Sequence, residues 1–321
     1  MRIYLAGLTR GALLGYHKKV PDEKPNALLS YSRMTGQTHD LLVTHRQKLG
    51  SIILDSGAYT LWNSKRVRDP TLTLAGYRAY ALATHHLFDF IFNFDTDFSE
   101  NGFEHNFANQ LTLETAGLKP VPAVHDIYGE EIDVYIAKKY PIIALGSVQI
   151  TGEGELSLAC SRLKGANAKI HLFGNTGFDF LGSYPIWSCD SSTWDQEAGR
   201  GYILHLKTEN YKLRTFHVQF DPLVETKDTN RFPFKRYPYR DELENMLLDT
   251  FNLTFSDLRG PDGLTYRQVV NIHYYLELQK RLSDEQDRRG VLPKSAQGKS
   301  AGSRAFCSRP NKNRGIPRFF G

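Results

Sequence analysis

Along the first 190 residues, short unbroken apolar runs recur, and each stops at a polar or small residue. The runs are Arg2 to Ala6, Ser51 to Leu54, Phe88 to Phe94, Val121 to Val124, Ile142 to Leu145, Lys169 to Phe173 and Tyr184 to Ser188. A run that is apolar throughout, rather than at every second position, marks a strand covered on both faces, as in parallel sheets. Helix-like segments fill the gaps. Asp69-Pro70-Thr71 offers start signals ahead of Leu74 to His86, and Gly129 to Lys139 ends before Pro141. Repeated strand and helix in alternation predict an α/β fold.

The residues that end the runs are Gly7, Asp55-Ser56-Gly57, Asp95-Thr96-Asp97, His125-Asp126, Gly146-Ser147, Gly174-Asn175 and Asp190-Ser191-Ser192. Polar groups thus collect at the carboxyl ends of the strands, where a (β/α)8 TIM-type barrel carries its active site. An open doubly wound sheet also binds ligands there, but normally through a glycine-rich phosphate turn. No such turn is visible, and Gly152-Glu153-Gly154-Glu155 lacks both the spacing and the Lys of a phosphate loop. A barrel is the expected architecture.

After residue 200 the pattern changes. Tyr202 to Leu206 and Leu213 to Phe220, separated by Thr208-Glu209-Asn210, read as a β-hairpin or a final barrel strand with its edge. Asp241 to Phe251 and Thr265 to Leu282 read as amphipathic scaffold helices. The expected organisation is one catalytic barrel domain over 1–287, with additions from about residue 200, and a flexible tail over 288–321. That tail holds nine Lys/Arg and no acid, leaving 31 basic against 35 acidic residues before it in a chain of net charge +5. It either neutralises nucleic-acid phosphates or is a solvated terminus. Arg231 to Arg240 interleaves cations and rings, which suits a proline-punctuated loop packing its rings on the barrel or, as the alternative, base stacking with phosphate contact. The candidate nucleic-acid contacts are Arg231, Lys235, Arg236, Arg240, Arg288 and Arg289.

Three isolated cysteines, Cys160, Cys189 and Cys307, form neither a disulfide framework nor a zinc-binding pair. No apolar stretch approaches the roughly 18 to 20 residues that cross a bilayer, and the first residues are too short for a signal-peptide core. A soluble cytoplasmic protein without membrane partner, metal or cofactor is expected.

Two acidic strand-end motifs carry the chemistry, Leu54-Asp55-Ser56-Gly57-Ala58-Tyr59 and Cys189-Asp190-Ser191-Ser192-Thr193-Trp194. A carboxylate directly after a buried run is costly unless partnered. Asp commonly caps the following helix, but a third such motif, Asn93-Phe94-Asp95-Thr96-Asp97, makes capping a weaker account of all three. Converging carboxylates suit retaining glycosyl transfer, in which one attacks the sugar carbon and another manages the proton.

Taken in order, Asp55-Ser56-Gly57-Ala58-Tyr59, Phe94-Asp95, Pro122-Ala123-Val124-His125, Ile143-Ala144-Leu145-Gly146-Ser147, His171-Leu172-Phe173-Gly174 and Asp190-Ser191-Ser192-Thr193-Trp194 resemble the motifs of the guanine transglycosylases. These enzymes exchange guanine for a 7-deazaguanine base in tRNA and, in a bacterial and phage branch, in DNA. The resemblance spans about residues 50 to 195. It implies that Asp190 is the nucleophile attacking C1′ and that Asp55 is the general acid/base. It further implies that Asp95 reads the purine N–H edge and that Gly146 contacts the base carbonyl through its backbone. Ser56, His125 and Ser147 are implied base contacts, although His125 also suits a structural role and Ser56 a cap. Asp97 replaces Asp95 if the register differs. Tyr59 and Trp194 either line the base pocket or pack beneath it.

The tRNA enzymes' zinc subdomain, built on Cys-x-Cys-x-x-Cys and a later His, has no counterpart here. The resemblance therefore points to a DNA guanine transglycosylase taking a preQ0-like free base as co-substrate, in the cytoplasm of a host cell were the gene phage-borne. A tRNA-guanine transglycosylase, a non-catalytic barrel subunit of such an enzyme and an unrelated metal-dependent barrel hydrolase are the alternatives. A homodimer stays open.

Overall fold

Nine parallel strands curl into a nearly closed barrel sheet with helices around it. The computed structural model describes residues 1–57, 72–99, 101–146, 149–150, 152–220 and 231–291. The strands are β1 (Arg2–Ala6), β2 (Asn26–Ser30), β3 (Ile52–Asp55), β4 (Phe90–Phe92), β5 (Pro120–Val121), β6 (Ala123–Val124), β7 (Ile142–Leu145), β8 (Lys169–Leu172) and β9 (Ile186–Ser191). Their order is β5-β4-β3-β2-β1-β9-β8-β7-β6. The two outermost strands of that order are consecutive in the chain and meet at Pro122, which has no N–H to continue a ladder. Val121 pairs back to Phe92 of β4, and Ala123 pairs forward to Ala144 of β7.

Two apolar cores result. Tyr4, Leu28, Ile53, Phe92, Val121, Ala123, Ile142, Ala144 and Trp187 pack together inside the ring. Alternate strand residues such as Ile3, Leu5, Ile52 and Leu54 join the larger cluster beneath the helices. Burial on both faces is why the strands read as unbroken apolar runs. Thr9, Thr35 and Thr73 cap their helices, each accepting a backbone N–H three residues on.

β2 has no counterpart among the predicted runs: only Ala27-Leu28-Leu29 is apolar, between Asn26 and Ser30. β4 is shorter than the Phe88 to Phe94 run. β9 extends past Ser188, so Asp190 and Ser191 lie within the strand.

The segment after residue 200 forms a separate three-stranded sheet. β10 (Tyr202–Glu209) and β11 (Lys212–Gln219) make the hairpin, and β12 (Arg231–Pro233) adds parallel to β11. The turn is Asn210-Tyr211, both at positive φ, two residues later than Thr208-Glu209-Asn210 suggests.

The helix Gly263–Arg289 then returns to the barrel and ties the first and last strands together. Its Gln279 Oε1 accepts from Ile3 N at 2.8 Å and Asn26 Nδ2 at 2.9 Å. Its Tyr275 hydroxyl meets Ser191 Oγ at 2.9 Å, and Gln286 Nε2 donates to Ile186 O at 2.9 Å. Because this helix runs through Arg289 and is capped by Gly290 at φ 63°, Arg288 and Arg289 belong to it rather than to a tail starting at 288. The remainder of that tail, from 292, lies outside the described residues. Among the described residues no helix is long and apolar enough to cross a membrane. Cys160 and Cys189 are buried free thiols.

Candidate active site

A cavity of about 650 Å³ opens at the carboxyl ends of the barrel strands, and every strand except β5 contributes to its wall. Gly7 follows β1, Ser30 ends β2 with Arg33 just beyond, and Asp55 and Ser56 come from β3. Asn93 and Asp95 follow β4, His125 follows β6, Gly146 follows β7, Phe173 and Gly174 follow β8, and Asp190 comes from β9. Asp190, Asp55, Asp95, Ser56, His125 and Gly146, separated by up to 135 residues in the sequence, therefore share one chamber. A volume of this size suits a nucleoside-sized ligand. Ser147 and Tyr59 lie outside the described residues.

Asp55 is half-buried. Its Oδ2 accepts from Gly57 N at 2.8 Å and from Ser30 Oγ at 3.3 Å. Gly57 sits at φ 78°, and a Cβ there would fall 1.9 Å from Ser32 Oγ, so this turn admits glycine alone. Burial pushes the Asp55 carboxyl up to about 6 from the ordinary 3.8. The Gly57 N–H and the Ser30 hydroxyl oppose that rise, while the charges of Asp190 and Asp95 add to it. A carboxyl poised near 6 is able both to donate and to accept a proton close to neutrality.

Asp190 stands on the other side of β2 and β1 from Asp55 in the strand order, with only 9% of its surface exposed. Its Oδ1 accepts from Gly174 N at 3.1 Å, and His171 Nε2 lies 3.4 Å from the same oxygen.

Asp95 and His125 form the third polar element. His125 Nε2 is 3.2 Å from Asp95 Oδ2, and Asn93 Nδ2 donates to Asp95 Oδ1. Burial disfavours the charged imidazole, but the adjoining Asp95 carboxylate and Glu131 outweigh it and raise His125 above its ordinary value. Glu131 Oε2 accepts the His125 backbone N–H at 2.6 Å and anchors the turn. Asp97 is turned away from the cavity, accepting from the Ser99 backbone and hydroxyl, so Asp95 holds the site register.

Gly146 contributes space. Its N–H is committed to Val124 O at 2.8 Å, continuing the ladder. A Cβ there would stand 3.0 Å from Val124 O and 3.3 Å from His125 Nδ1. Phe92 and Phe173, with ring centroids 4.7 Å apart, supply apolar wall, and Phe98 meets the His125 ring edge-on at 4.9 Å.

Trp194 does not line the pocket. It is fully buried, and its Nε1–H donates to Ala6 O at 3.0 Å beneath the rim. The basic aromatic segment likewise turns its rings inward: Tyr237 is buried, and Phe234 packs on Phe220 and Phe255. Phe232, Phe234 and Tyr239 are only partly buried. Arg231 reaches Glu197 at 3.4 Å and lies over the Tyr202 ring, and Arg240 lies over Phe234. Arg288 and Arg289 both pair with Glu285. Lys235 and Arg236 are exposed.

Arg33 and Ser30 belong to the site but escape sequence reading, because the strand that delivers them has only three apolar residues. Arg33 is the one Lys or Arg among the described residues lining the cavity, set against Asp55, Asp95, Asp190 and Asp195. Among the described residues no group of three or more His, Cys, Asp or Glu is arranged to hold a metal ion. No protein-family model and no curated protein matches the chain.

Proposed function

We propose that this chain is a guanine transglycosylase acting on DNA, exchanging guanine for a preQ0-like 7-deazaguanine base by a retaining, covalent route. The observation that carries the reading is the pairing, in one nucleoside-sized cavity, of a carboxyl raised to about 6 at Asp55 with a second acid at Asp190. The barrel is read as (β/α)8, with the pieces on either side of Pro122 counted as one strand.

In the first half-reaction an Asp190 carboxylate oxygen forms a bond to C1′ as the C1′–N9 bond breaks. The electron pair leaves on the purine, and protonated Asp55 supplies its proton. In the second, the ionised Asp55 takes the proton of the incoming base, whose nitrogen attacks C1′ and releases Asp190 as carboxylate. Two inversions give net retention. Asp95 accepts from the N–H edge of the base, the side on which guanine is a donor, and the gap at Gly146 admits the opposite edge.

The carboxylates that suit this chemistry are poorly suited to attract a polyanion, so Arg33 at the mouth is the expected phosphate contact. The target nucleotide must leave its stack to reach a chamber of this depth. Supporting DNA over tRNA is the isolation of the three cysteines in the sequence, which leaves no zinc subdomain to dock tRNA. Duplex DNA, single-stranded DNA and tRNA, each offered with labelled 7-deazaguanine, test the proposal. Incorporation into DNA, with a denaturant-stable adduct that Asp190→Ala abolishes, is expected. Incorporation confined to tRNA would refute the polymer, and normal turnover by Asp190→Ala would refute the mechanism.

A further inference from the structure

Beside Asp190 lies a buried imidazole that the exchange chemistry does not itself require. His171 on β8 is 1% exposed, held among Phe92 at 4.9 Å, Phe173 at 4.8 Å and Tyr4 at 6.2 Å between ring centroids. Its Nδ1 is 2.8 Å from Ser188 Oγ, and Ser188 is fully buried. Its Nε2, also buried, makes no hydrogen bond and is 3.4 Å from Asp190 Oδ1.

The strand pairing explains how the ring comes to be there. The β8 and β9 register slips between Ile170, paired with Ile186, and His171, paired with Ser188, so Trp187 is an extra residue on β9. Such irregularities re-aim side chains next to active sites. Here the slip sets His171 opposite Ser188, two residues before Asp190 on the same strand and therefore on the same face.

Resting on the transglycosylase reading above, we infer that His171 is a positioning residue that selects which oxygen of Asp190 attacks the sugar. A neutral imidazole has one donor and one acceptor nitrogen. In the tautomer this role requires, the Ser188 hydroxyl donates to Nδ1 and the proton sits on Nε2, facing Asp190 Oδ1. Gly174 N–H holds that same oxygen at 3.1 Å, and His171 Nε2, 3.4 Å away and not hydrogen-bonded to it in this structure, closes onto it as charge develops there, which leaves Oδ2 to bond C1′. When the glycosyl ester forms, Oδ1 becomes its carbonyl oxygen. When the incoming base attacks C1′, the C1′–Oδ2 bond breaks, and its electron pair returns to a carboxylate whose charge is shared onto Oδ1. The two donors then stabilise the departing group. The larger effect of His171 therefore falls on the second half-reaction.

The test uses the full chain, a DNA substrate and labelled 7-deazaguanine. His171→Phe keeps a ring between Phe92 and Phe173 but removes both nitrogens. Its kcat should fall roughly tenfold to a hundredfold, the kinetic equivalent of one hydrogen bond to a charged group, with KM for the free base unchanged. The covalent adduct should accumulate at steady state, because release is slowed more than formation. Ser188→Ala, which deletes one hydroxyl and frees the tautomer, should lower kcat in the same sense and carries the test if the His171 variant does not fold. An unchanged kcat and adduct level in Ser188→Ala and in a folded His171→Phe would overturn the inference, as would a loss confined to thermal stability. Absence of any adduct in the unmodified protein would instead overturn the transglycosylase reading itself.

Discussion

Replacing Asp55 by asparagine should stabilise the fold in a pH-dependent way. In the unfolded chain this carboxyl ionises near 3.8, whereas in the folded cavity it ionises near about 6. Between those values the folded protein keeps a proton that the unfolded chain has released. The wild-type contribution from Asp55 is therefore fully present below 3.8 and is lost as pH rises to about 6. At about 1.4 kcal/mol per pH decade, the gap amounts to about 3 kcal/mol of stability given up to hold a charge in the cavity wall. The asparagine amide cannot ionise, so the Asp55→Asn variant escapes that loss. Urea unfolding of both proteins at about pH 3.5 and about pH 7.5 reads the effect, since titrating groups not coupled to Asp55 cancel in the difference, leaving Asp55 and its neighbours Asp190 and Asp95. The variant's advantage over wild type should grow by about 3 kcal/mol from the lower pH to the higher. Any fixed offset from the altered contacts to Gly57 N and Ser30 Oγ drops out. An advantage that is identical at both values would show that the carboxyl is not raised, and the acid/base assignment would fall with it. Base exchange by the same variant should be slow at both values.

Three further substitutions separate the parts of the site. Gly146→Ala places a methyl 3.0 Å from Val124 O and 3.3 Å from His125 Nδ1. Steady-state kinetics should show a raised KM for the free base with little change in kcat, while an unchanged KM would put the base elsewhere. Arg33→Ala should weaken DNA binding about equally across sequences and reduce the log–log salt slope by about 1, read by fluorescence anisotropy over a salt series. Trp194→Phe removes the N–H donated to Ala6 O and should cost about 1–3 kcal/mol in urea unfolding. Its KM for the base should stay at the wild-type value, because the ring lies outside the cavity.

The strand ends were legible because a strand buried on both faces writes itself as an unbroken apolar run, and Asp55, Asp95 and Asp190 interrupt such runs where charge is costly. β2 was not legible, since Asn26 and Ser30 leave only three apolar residues between them, and its loss hid Arg33. The tail boundary was misplaced for a different reason. Arg288 and Arg289 look like the start of a cationic terminus, yet both pair with Glu285 one turn earlier in the same helix. Gly146 lines the cavity, while the partner of its N–H, Val124 O, depends on strand register that no spacing reveals. The rings of Arg231 to Arg240 belong to the hairpin core, a distinction that composition does not draw. His171 stood within a quoted motif without a role, since its meaning depends on one slipped residue between two strands.

The helix Gly263–Arg289 has a consequence for biosynthesis. Ile3 N is satisfied by Gln279, a partner 276 residues further along. During translation, Asp55 and Asp95 emerge early, but the wall that opposes them is sealed only after this helix has left the ribosome. Until then the apolar outer faces of the first and last strands wait uncovered, so chains halted before about residue 286 should aggregate or engage chaperones rather than display a partial site.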